Sequence, residues 1–194
     1  MEIGASKAVQ DRLKTTKIEE SKGASLVFCW DTHLTKIKGR NVLFIVNASN
    51  RYTLAMTDIE PRNWNYYTMY IRSVIHGVMQ EMGYSEDQIG QYFKMSGDTT
   101  VTKTHGRKSV GGINRMVMDA QYFGKKLEKE AKYQRELSEY LNRDICQPEG
   151  FDAYGYPNEL FKLDMERLGI ATKRKPAKVI DFTRYIDTNR NSNH

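Results

Sequence analysis

The chain opens on a short apolar stretch, residues 1–5, and then changes period. Ser6 is a helix-capping residue type, and Val9 and Leu13 share one face of Lys7–Lys14, so the pattern predicts a strand followed by a short helix. Residues 15–25 are polar and contain glycine, which reads as a loop. Two apolar runs of strand length follow, Leu26–Trp30 and Asn41–Ala48, rich in β-branched and aromatic residues. Between them Thr35–Lys38 alternates, and Lys38-Gly39-Arg40-Asn41 reads as a hairpin turn. Asn47–Asn50 then turns the chain into a third run, Arg51–Thr57, and three antiparallel strands are the economical reading.

Pro61 closes that segment, and Trp64, Ile71, Val74, Ile75, Val78, Met79 and Met82 recur at helical spacing up to Gly83. Ser85 with Gln88 predicts a capping box opening a helix through Phe93. Thr99–Thr104 alternates like a strand. From Gly112 to about Asn142 the apolar positions keep a helical period, predicting one long helix that becomes strongly charged after Lys125. Residues 147–157 are turn-rich, and Asn158 caps a short helix to Leu168. The pattern predicts an α+β fold: an antiparallel sheet of about four to five strands with helices on one face, a core over residues 1–125, a helical extension over 126–169 and a basic tail over 170–194.

Charge refines this picture. The formal net charge is +6 with a sequence pI near 9.2, which favours an anionic partner. Residues 170–194 carry a net +4, so much of the excess sits in the tail. The second concentration is residues 99–117, where Lys103, Arg107, Lys108 and Arg115 occur with no acid. The only cysteines, Cys29 and Cys146, form no Cys-x-x-Cys pair, and no His-Glu-x-x-His or similar set occurs, so neither a disulfide framework nor a metal site or cofactor is expected. No run approaches the ~20 apolar residues that span a bilayer, and the start lacks a secretory pattern. A soluble, cytoplasmic protein is the expectation.

The segment 102–114 joins a strand to a helix start and is the most informative for chemistry. Helix N-termini present unpaired amides and a positive dipole end, and glycine lets an anion come close. Lys103, Thr104, Arg107, Lys108, Ser109, Gly111, Gly112 and Asn114 therefore form a candidate anion site, although no Walker A loop can be laid on them. A plain surface turn with Ser109 as helix cap is the competing account. A second polar group, Trp30, His33, Asn47 and Arg51, lies at the strand ends, where turn hydrogen bonding by Asn47 and core packing of Trp30 are the bland alternative.

These residues also carry a resemblance. Ser6-Lys7 after the first strand, Trp30-Asp31-Thr32-His33, the turn Asn47 to Arg51-Tyr52, and Thr102-Lys103-Thr104, Arg107, Ser109-Val110-Gly111 and Asn114 are similar to the motifs of a bacterial and phage domain family of unknown function. The resemblance spans roughly residues 1–125 and implies a compact α+β domain in which the same two polar groups stand out, with the part after Lys125 as an addition.

The expected function is non-enzymatic binding of nucleic acid or a nucleotide by a phage or mobile-element accessory protein. One rival is a protein inhibitor of a host-defence nucleoprotein complex. Another is a metal-independent nuclease using His33 and His105 as base and acid.

Overall fold

A computed structural model describes residues 1–15 and 18–172. Of the basic tail expected over 170–194, residues 173–194 lie outside the described residues, and Ile170 is buried in the core. The fold is α+β. Its five strands, β1 (Glu2–Ala5), β2 (Cys29–Ile37), β3 (Arg40–Asn47), β4 (Thr53–Thr57) and β5 (Thr100–Thr102), form one sheet in the order β4-β3-β2-β1-β5. Among the described residues seven α-helices accompany it: α1 (Lys7–Leu13), α2 (Pro61–Asn65), α3 (Tyr67–Glu81), α4 (Glu86–Ser96), α5 (Gly106–Gln121), α6 (Arg135–Leu141) and α7 (Pro157–Arg167).

The local signals hold. Lys38 and Gly39, both at positive φ, close the β2–β3 hairpin, and the Ser85–Gln88 capping box opens α4. The sheet is mixed, however, and not antiparallel throughout. β1 runs parallel to both β2 and β5, with α1 in the crossover from β1 to β2.

Helices cover both faces, where the sequence reading placed them on one. Leu43 and Ile45 of β3 pack with Ile3, Trp30, Ile71, Ile75, Ile89 and Phe161. The alternate residues Val42, Phe44 and Val46 pack with Ile113, Met116, Ala120 and Leu137. A strand covered on both sides is a continuous apolar run, which is what Val42–Val46 is.

The long helix expected over 112–142 is two helices. α5 ends at Gln121, and the connecting chain is held to the sheet: Lys38 donates to the carbonyls of Phe123 and Lys125, and Arg40 donates to that of Glu128 at 2.7 Å. Residues 134–142 then seal β4. Gln134 N–H donates to Ala55 O (2.9 Å), Ala55 N–H donates to Ser138 Oγ (3.0 Å), and Asn142 pairs with both backbone groups of Thr53. Side chains four residues apart on one helix face thus satisfy alternate backbone groups of an edge strand. At the other edge Glu19 bridges Thr102, and Lys103 N–H donates to Glu19 O at 2.9 Å.

Candidate functional site

β1 is paired on both edges, and all four of its residues are buried. Ile3 and Ala5 enter the large apolar cluster. By alternation Glu2 and Gly4 face the opposite side, toward the start of α5. The parallel register places Cys29 beside Glu2 and Asp31 beside Gly4. Gly4 has a direct steric reason: a Cβ there would lie 1.9 Å from Asp31 Oδ1. Glycine at this position is what lets the Asp31 carboxylate lie over the strand.

Asp31 is buried and collects donors from the α5 start. His105 N–H approaches its two oxygens at 3.1 and 3.3 Å, His105 Nδ1 lies 2.7 Å from Oδ1, and the Ser109 hydroxyl donates to Oδ2. A carboxylate at a helix N-terminus satisfies free amides and the dipole together. Gly106, at φ +86°, supplies the left-handed residue that turns the chain from His105 into the helix.

On its other side His105 Nε2 meets Glu2 Oε2 at 3.0 Å. Glu2 also accepts from Ser21 Oγ (2.5 Å) and from Lys22 N–H (2.8 Å), which draws the loop before β2 down over the cluster. Burial pushes the His105 imidazole down, but hydrogen bonding to Asp31 and Cys29 and the Asp31 charge outweigh it, and it is pushed up to about 10. Burial likewise pushes Glu2 up, and its bonds from Ser21, His105 and Lys22 hold it below the ordinary carboxylate range. At neutral pH this is a buried imidazolium between two carboxylates.

The corner that is free of acid in the sequence is therefore not free of acid in space. Ser109 serves Asp31. Lys103 pairs with Glu20 at 2.5 Å, and Lys108 donates to Pro148 O at 3.3 Å. The Gly112 carbonyl accepts from Arg51 Nη2 at 2.8 Å, so one member of the second group does reach this segment. Arg107, Gly111 and Asn114 are exposed on α5, and with Thr104, Gly106 and Val110 they line a shallow open depression.

Trp30 and Asn47 of the second group make internal contacts. Trp30 is buried, with Nε1 donating to Tyr92 OH at 2.9 Å. Asn47 donates to Val27 O and accepts from the amides of Ser49 and Asn50, the turn chemistry its residue type favours. His33 is half-buried, and burial pushes it down. His105 has both ring nitrogens against carboxylates.

Sequence reasoning missed Glu2, Cys29 and Asp31. The available signal was acids inside short apolar strands, Glu2 between Met1 and Ile3 and Asp31 next to Trp30. Such placement is costly without partners.

An α+β domain with a buried His–carboxylate brace behind an exposed helix face is the class that these features define. The family model of a domain of unknown function, DUF6933, matches residues 2–160, and the chain belongs to that family. The match runs past residue 125, so it takes in α6 and the first residues of α7. No curated protein and no solved structure matches the chain. Among the described residues no helix is long and apolar enough to cross a membrane.

Proposed function

We propose that the protein binds nucleic acid along the exposed face of α5. The observation that carries this is the state of two cations. Arg107 and Arg115 are exposed on that helix, and among the described residues neither forms an ion pair, whereas Lys103 is paired with Glu20. Asn114 stands between them in sequence. Gly111 is exposed with open space where a side chain would be, so a phosphate backbone has room to approach the helix. Met118 and Tyr122 continue the face one and two turns on, both more than half exposed, and offer apolar and stacking contacts to bases.

In this reading the arginines neutralise phosphate, Asn114 and Thr104 supply hydrogen bonds, and the buried cluster below is a brace. Asp31 and Glu2 hold His105 and Ser109, and so fix the angle at which α5 leaves the sheet.

The test is binding of short single- and double-stranded DNA and RNA, with a nucleoside triphosphate in parallel, at two salt concentrations. Affinity for the polymers should fall as salt rises and drop at least tenfold in the double variant Arg107→Ala/Arg115→Ala. No affinity in the parent, or equal affinity in that variant, overturns the proposal. Binding of the triphosphate alone would replace a polymer groove with a nucleotide site.

A further inference from the structure

The buried cluster beneath α5 contains more than a brace requires. Glu2 comes from β1, Cys29 is the first residue of β2, and His105 precedes α5. Each offers one donor atom, a carboxylate oxygen, a thiol sulfur and an imidazole nitrogen, and these atoms all lie within 4.8 Å of one another. All three residues are buried. Metal bonds of about 2.0–2.3 Å in a tetrahedral site put neighbouring ligand atoms roughly 3.3–3.8 Å apart. Only a small closure separates the three donors from that spacing.

Two further features fit a cation. Asp31 holds His105 Nδ1 at 2.7 Å, which leaves Nε2 as the nitrogen turned toward Glu2. A carboxylate behind an imidazole is the usual support for a ligating histidine. The charge balance is also short of positive groups. Two carboxylates and a thiol face one imidazole, and among the described residues no Lys or Arg side chain hydrogen-bonds to any of them. One imidazolium against two carboxylates leaves an excess of buried negative charge, which calls for a partner.

We propose that Glu2, Cys29 and His105 form a binding site for a divalent cation of the zinc type, with Asp31 as the positioning residue behind His105. A thiolate, an imidazole and a carboxylate together favour Zn²⁺ over Mg²⁺ or Ca²⁺, which take oxygen ligands. On binding, the ion takes the place of the protons on Nε2 and Sγ, and both protons leave to solvent. Three protein donors leave a four-coordinate ion one position for water. Sequence spacing hides such a site, because its ligands stand at positions 2, 29 and 105.

The full-length protein, freed of metal with a chelator, is titrated with Co²⁺ and then Zn²⁺. The expected result is one Co²⁺ per chain, a thiolate-to-cobalt charge-transfer band in the near ultraviolet, and loss of that band as Zn²⁺ displaces the cobalt. The band should vanish in Cys29→Ser and persist in Cys146→Ser, the other cysteine. Asp31→Asn should weaken binding by about 10- to 100-fold while far-ultraviolet circular dichroism stays that of the parent. A parent protein that shows no band overturns the proposal whether or not any variant folds. A band that survives Cys29→Ser, or that disappears in Cys146→Ser, also overturns it.

Discussion

Asn142 meets Thr53 twice: its Oδ1 accepts from the Thr53 amide and its Nδ2 donates to the Thr53 carbonyl, each at 2.8 Å. Both residues are buried. The side-chain amide thereby does what the backbone of a sixth strand would do. Removing it leaves a buried N–H and C=O without partners, which costs about 1–3 kcal/mol. Asn142→Ala should therefore lower the urea midpoint without changing the slope, and Ser138→Ala should act in the same direction through the Ala55 amide. A loss below roughly 0.5 kcal/mol in both variants would show that the edge is satisfied by other means.

Gly4 is the place where one methyl group should do the most damage. Its Cβ would fall on the Asp31 carboxylate, so Gly4→Ala must push Asp31 away from His105 and Ser109. Overpacking of this kind costs about 1–3 kcal/mol. By contrast Gly111→Ala, on the exposed face of α5, meets open space and should keep or raise the thermal midpoint. Equal midpoints for the two variants would remove the close approach at Gly4 from the account.

Asp164 gives a pH dependence with a definite sign. It is buried, and burial pushes its carboxyl up despite hydrogen bonds from Asn50 and Ser49 and the charge of Arg167. The folded protein thus holds this proton to higher pH than the unfolded chain does. The stability it contributes is fully present below the unfolded value of about 4 and is lost as pH rises through the raised folded value. Relative to Asp164→Asn, the parent should gain thermal stability on going from about pH 6 toward about pH 4. The comparison is a difference, so the opposite trend of carboxylates such as Glu2 cancels. A midpoint difference that is flat or reversed over that range would contradict the shift.

On the nucleic-acid reading, the salt dependence of binding can be assigned residue by residue. Each lost phosphate contact lowers the slope of log affinity against log salt by about 0.7 for single strands and about 0.9 for duplex. Arg107→Ala should reduce the slope by roughly one such unit. Lys103→Ala should leave it nearly unchanged, since Lys103 faces Glu20. A larger effect at Lys103 than at Arg107 would move the contact surface off the exposed face of α5.

What the sequence made legible is what neighbouring residues decide among themselves. The Lys38-Gly39 turn, the Ser85–Gln88 box and the Asn47 turn depend on a few consecutive residues, and each stands as read. The parallel placement of β1 depends on contacts between residues 2–5, 29–32 and 100–102, which no local pattern encodes. The unbroken apolar run Val42–Val46 did carry a sign of burial on both faces. The helical period after Gln121 misled because it persists across a segment whose carbonyls are taken by Lys38 and Arg40. The candidate site divides in the same way. Arg107 and Asn114 are exposed as expected, while Ser109 and Lys103 are claimed by Asp31 and Glu20, acids 78 and 83 residues away in the chain.

The sheet is finished at both margins, by the Gln134 amide and the Ser138 and Asn142 side chains along β4 and by the Glu19 segment along β5. A sheet closed in this way offers no main-chain template on which another polypeptide could add a strand, so growth into ordered aggregates by edge pairing is blocked at either end. Recognition is thereby left to side chains, and the helical surface decides which molecules the protein can meet.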